Sequence, residues 1–153
     1  MILSGLDRYR DEGLLLLRVG IGLMFLYHGW PKVTGGVAVW TKLGASMKFL
    51  GIGFMPAFWG FMAAAAEFGG GLLLIAGLLF RPTCAMLVST MAVAVAMKLG
   101  TGAGLSGAAH PLELGIVFLS LILIGPGRYS LDARCACRGA GGTRGLREAA
   151  QSR

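Results

Sequence analysis

Charge is what this chain has least of. Asp, Glu, Lys and Arg make up 14% of its 153 residues, with only seven acidic side chains, where an ordinary soluble domain carries about 25% charged residues. Hydrophobic residues reach 56% and the mean hydropathy is +0.73, which excludes a soluble catalytic domain. Cysteine is scarce too, at three residues. There is no C-x-x-C for dithiol chemistry, no C-x-x-C-H for covalent haem, and no G-x-G-x-x-G following a strand for a dinucleotide. Strict alternation of polar and apolar residues is absent as well, and that removes the transmembrane β-barrel.

What remains is a set of continuous apolar runs: Gly13 to Trp30, Ala57 to Phe80, Thr83 to Leu99 and Pro111 to Gly125. A helix needs about 20 residues to cross the hydrocarbon of a bilayer, so four crossings consume most of the chain. They are expected over about 13–30, 57–80, 83–99 and 108–125, within one membrane domain spanning 13–132, after a short segment 1–12. The last run is the shortest, about 22 Å at helical rise, so its outer end borrows Gly107 to His110. Pro56 suits a first helical turn, and Arg81-Pro82 reads as a tight turn. Between the first two runs, Val37, Trp40, Gly44, Met47 and Leu50 recur at helical spacing with Lys42 and Lys48 off that face, the pattern of a short interfacial helix. The fold class is therefore all-α, an integral membrane four-helix bundle.

With four crossings, the N-terminus, the Arg81 turn and the C-terminal tail share a side that carries ten arginines, against Lys32, Lys42, Lys48 and Lys98 on the other. The excess of positive charge puts both termini in the cytoplasm of a bacterial inner membrane. The net charge of +7 then reflects topology and contact with anionic lipid; no nucleic-acid role is implied. From Ala133 to Arg153 the chain is rich in Gly and Arg with few apolar residues, and a disordered basic cytoplasmic tail is expected. Cys135 and Cys137 form a C-x-C within it, while Cys84 reads as a small packing residue.

Polar residues inside crossings are costly and mark contacts with protein, water or ligand. "AAAAEFGGG" places Glu67 in the middle of the second crossing. On a helical wheel Gly60, Ala64, Glu67 and Gly71 line one narrow face, with Phe61, Phe68, Leu72, Ile75 and Leu79 about a quarter turn away. The small residues permit close helix approach, so this face points into the bundle. In the first crossing Arg18, Gly22, Phe25, Gly29 and Lys32 share a face with His28 beside it. Glu113 and Ser120 share a face of the fourth, with His110 one turn before Glu113. By depth, Glu67 lies near the midplane and His28, Lys32, His110 and Glu113 in the outer half.

Such a cluster supports several chemistries. A carboxylate and an imidazole beside a hydrophobic cavity could exchange protons with a quinone, with Glu67 and His28 in that role. Arg18, Lys32 and Arg81 would tune charge, Glu113 would be a second acid, and His110 would stand beside it. A metal site is not expected, because the ligand types come from separate helices without ligand spacing. Alternatively Glu67 pairs with Lys32, His28 or Arg18 only to fix helix register, and a transporter would use the same polar interior.

"LLRVGIGLMFLYHGWPKVTG", "AEFGGGLLLIAGLLFRP" and the closing "GPGRYSLD", in that order over Leu14 to Asp132, resemble the DoxX family of small four-helix bacterial membrane proteins. That resemblance implies a subunit of a quinone-linked system acting on sulfur compounds such as thiosulfate, or a membrane partner of oxidative-stress enzymes. It equally implies non-catalytic scaffolds and assembly factors among related four-helix proteins. A redox partner subunit and homo-oligomers are the associations expected beside the lipid bilayer. "GPGRYSLD" itself reads as an interfacial stop, with Ser130 or Asp132 bonding freed backbone groups.

Overall fold

The structure is a computed structural model describing residues 4–135. A 3-10 turn, Ser4–Tyr9, leads into α1 (Arg10–Thr34), followed by α2 (Gly36–Gly44), a second 3-10 turn (Ala45–Leu50), α3 (Pro56–Ala76), α4 (Phe80–Gly100) and α5 (Gly104–Ile124). Among the described residues four helical segments are long and apolar enough to cross a membrane: Leu6–Thr34, Pro56–Ala76, Phe80–Gly100 and Gly104–Ile124. There is no strand among the described residues.

The helix ends follow from local chemistry. Pro56 occupies the first turn of α3, where its missing N–H costs nothing. Gly77 ends that helix at φ 64°, and Leu78 N donates to Leu73 O over 3.1 Å, closing the freed carbonyls. α5 starts earlier than the apolar run suggested: Gly104 to Ala109 are helical and Pro111 lies inside, so the fourth span reaches about 31 Å at 1.5 Å per residue.

α1 and α2 form one broken line along α3. Gly22 packs on Gly71 and Ile75, and Gly29 on Phe68; further along, Gly60 meets Trp40 and Gly44 meets Pro56. Numbers rise along α1 and α2 as they fall along α3, so both run antiparallel to it. The short helix between the first two long ones is thus packed along the first half of α3, with no gap for side chains where Gly44 and Gly60 sit. The chain bends at Gly35 and at Gly36, whose φ is 72°, a conformation that glycine adopts without steric cost. Trp40 Nε1 donates to Lys32 O over 2.9 Å and so closes one of the carbonyls freed at the break.

The core lies between α1, α3, α4 and α5, built from Leu14, Phe25, Leu74, Phe80, Cys84, Leu87, Met91, Phe118 and Leu121. Phe25 and Phe118 meet edge to face with centroids 5.3 Å apart, a favoured aromatic geometry. The faces read from the sequence are present: Gly60, Ala64, Glu67 and Gly71 are buried, as are Arg18, Gly22, Phe25 and Gly29, while Phe61 and Leu72 are exposed. Cys84 packs in the core and Cys135 is free and exposed. Residues 131–135 form a helical turn; Cys137 and the rest of the tail lie outside the described residues.

Candidate functional site: an ion pair beside a helix break

Glu67 lies about 16 Å from the Pro56 end of α3 and about 14 Å from Ala76, counted at 1.5 Å per residue. It is therefore near the middle of the span. Its only ionic partner among the described residues is Lys32, whose Nζ donates to Oε2. Lys32 comes from the last turn of α1, just before the break, and it is the first of the three partners that the sequence allowed. The pair is asymmetric: the Glu67 side chain is 8% exposed and that of Lys32 is 32% exposed.

The exposed side of the pair opens into a cavity of about 370 Å³ bounded by α2, the second 3-10 turn, α3 and α4. Its walls are mostly apolar, with Met47, Met62, Met86, Met97 and Val93 among them. Ser46 donates to Met97 Sδ over 3.0 Å. Thr90 Oγ1 donates to Met86 O within its own helix. Trp59 also lines the cavity, and its buried Nε1 has no acceptor, a costly state for an indole N–H. The chamber thus offers a cation, a carboxylate and an unmet donor between apolar walls.

The other residues singled out in the sequence lie elsewhere. His28 is exposed on α1, edge-on to Tyr27 at 5.3 Å, and lines a separate shallow groove with Trp30, Pro31 and Phe68. His110 and Glu113 are exposed on α5. Arg81 is exposed, its Nε donating to Ile122 O over 3.2 Å. None of these four has a hydrogen bond to Glu67. No group of three or more His, Cys, Asp and Glu suited to a metal occurs among the described residues.

Arg18 organises the end of the bundle where the two termini meet. It is 1% exposed and donates to the carbonyls of Pro126, Ile75 and Tyr129. "GPGRYSLD" is a strap docked on this arginine and on the α3–α4 turn. Asp132 accepts from Leu79 N at 3.0 Å and Phe80 N at 2.8 Å, capping α4 and holding Leu79 at φ 46°. Arg128 N donates to Asp11 and Tyr129 Oη to Glu12, which fastens the strap to the start of α1.

The cavity residues Trp59, Ser46, Thr90 and Met97 escaped sequence reading. A signal existed: Trp59, Ala63, Ala66 and Glu67 share a face of α3, and Thr90, Ala94 and Met97 recur at helical spacing on α4.

A bundle of four membrane-length helices with an ion pair at mid-span defines a class of small polytopic membrane protein. The sequence profile of the DoxX family matches residues 13–99, more than half the chain, and the chain belongs to that family. It is similar to Inner membrane protein YqjF of Escherichia coli strain K12, 29% identical over 130 residues that cover 83% of this chain and 95% of the relative. No solved structure matches it.

Proposed function

We propose that this protein is the quinone-binding membrane subunit of a redox system in the bacterial inner membrane, with both termini in the cytoplasm. The observation that carries the reading is the mid-span cavity with Lys32 and Glu67 at its edge. Apolar walls suit a quinone ring and tail, and an ammonium beside a carboxylate suits its oxygens. A quinone carbonyl would accept from Lys32 Nζ, and another polar oxygen would give Trp59 Nε1 the acceptor it lacks. Reduction to the quinol takes two electrons and two protons. The electrons come from a donor held by a partner subunit, an oxidisable sulfur anion such as thiosulfate or a reductant used in oxidative-stress defence. Glu67 and Lys32 hold and pass protons at the ring oxygens, which is the role general acid–base groups fill when charge develops on oxygen. Arg81 would contribute positive charge at the arginine-rich end. The inner-membrane placement draws on the family and on the name of the relative; the orientation draws on the distribution of arginine.

A second reading has its own support. Because Lys32 binds Glu67 directly, the pair also serves as a pin for α1–α3 register in a non-catalytic scaffold or assembly factor. Purified protein tests the two, by solvent extraction of bound quinone and by quenching of tryptophan fluorescence with a short-chain benzoquinone. Wild type binds quinone, Glu67→Gln loses it at unchanged folded yield, and the exchange Lys32→Glu with Glu67→Lys keeps the yield but not the tight binding. Wild type that neither carries nor binds quinone, with yield tracking the ion pair alone, overturns the quinone reading in favour of the scaffold.

A further inference from the structure

Glu113 is the mid-span charge that the bundle leaves unexplained. Arg18 is bonded to three carbonyls, and Lys32 and Glu67 satisfy each other. Glu113 lies about 14 Å from the start of α5 at helical rise, is exposed, and makes no ion pair among the described residues. A carboxylate turned toward hydrocarbon is costly, and such residues face protein, water or a partner. α5 is also the least covered of the four spans, with 17% of its most apolar window buried against 39% for α3.

The surroundings of Glu113 indicate what covers it. Ser106, His110, Glu113 and Ser120 follow at spacings of four, three and seven, so they share one helical face, and all four are exposed. The face therefore carries a carboxylate and its hydrogen-bond complement one turn apart. Copies inserted in the same sense lie at equal depth. A two-fold axis along the membrane normal then brings each residue i to j and each j to i.

We propose that this face of α5 is the contact between two copies of the chain, with His110 of each donating to Glu113 of the other. The arrangement forms twice across the axis and removes both carboxylates from lipid. Ser106, a small residue on this face in the first turn, allows the two α5 helices to approach closely there, and interhelical polar contacts of this kind hold membrane helices together. The contact is independent of what fills the cavity, since no residue of α5 lines it.

Crosslinking in native membranes tests it. In the full chain carrying Cys135→Ser and Cys137→Ser, Ser120→Cys yields a disulfide-linked dimer of this chain on mild oxidation, whereas Leu72→Cys, exposed on α3, does not. The Ser120→Cys arm leaves Glu113 intact and nearly preserves side-chain volume, so its outcome does not hang on tolerance of a charge change. Subunit counting in lipid vesicles supplies the second arm: Glu113→Gln weakens association roughly tenfold, and exchanging the pair, His110→Glu with Glu113→His, restores it. Absence of the Ser120→Cys dimer, association unchanged by Glu113→Gln, or a different polypeptide crosslinked at position 120 overturns the proposal.

Discussion

The two charged centres of the bundle are built on opposite principles. Arg18 spends its guanidinium on the carbonyls of Pro126, Ile75 and Tyr129 and is 1% exposed. Lys32 and Glu67 have each other and a cavity, and Lys32 keeps a third of its side chain exposed. A closed centre bonded to main chain can fix geometry but has no room for a ligand. An open centre bonded through side chains alone can change partners. Removing the cation should therefore cost far more at the first than at the second. Arg18→Leu leaves three buried carbonyls without their donor and removes the inner fastening of the strap, leaving only its contacts through Asp132, Asp11 and Glu12. Hydrogen bonds to charged groups contribute about 1.5–3 kcal/mol each, so the expected loss is about 3 kcal/mol or more. Folded yield after detergent extraction should collapse, and a yield within a factor of two of wild type would mean that the strap holds without Arg18.

The matching change at the open centre is Lys32→Met, which keeps a flexible apolar stem while deleting the charge. Glu67 then loses one partner while still facing the open cavity. The expected destabilisation is about 1 kcal/mol, near the cost of one ordinary hydrogen bond, with folded yield largely kept. Thermal unfolding in one detergent, followed by circular dichroism for both variants, checks the ordering. Equal losses at Arg18 and Lys32 would show that the pair is as structural as the arginine.

The same contrast explains what could be read from the sequence. The Gly60, Ala64, Glu67, Gly71 face and the Arg18, Gly22, Phe25, Gly29 face were legible because small residues at helical spacing imply close packing. Lys32 stood among three candidate partners for Glu67, since spacing along one helix does not fix the rotation of the next. The acceptors of Arg18 left no trace, because main-chain carbonyls belong to every residue type. "GPGRYSLD" was read as an interfacial stop, although Asp132 was a candidate for bonding backbone; its partners are more than fifty positions away, and no local pattern encodes that. The short helix between the first two crossings was legible from its helical spacing; that it packs along α3, with Gly44 and Gly60 against main chain, was not. His28 and Glu113 show the limit of depth counting, which matches residues by height and says nothing of the side they face.

The smallest effect belongs to the strap itself and separates its two fastenings. Asp132 caps α4 by accepting from Leu79 N and Phe80 N, and loss of such a cap costs about 1 kcal/mol. Its carboxylate also lies at a helix N-terminus, where a negative charge is favourable by a few tenths to about 1 kcal/mol. Asp132→Asn keeps one acceptor oxygen but loses the charge and sets an NH2 against the second N–H, whereas Asp132→Ala removes both acceptors and the charge. The alanine variant should therefore lose about 1 kcal/mol and the asparagine variant a part of it, measured by thermal unfolding at one salt concentration. Because the carbonyls of Pro126 and Tyr129 still bind Arg18 in either variant, the strap should stay docked, and trypsin cleavage after Arg128 should remain slow. Fast cleavage in Asp132→Ala would mean that the α4 cap, and not Arg18, is what holds the strap, and the closed centre would then depend on its periphery.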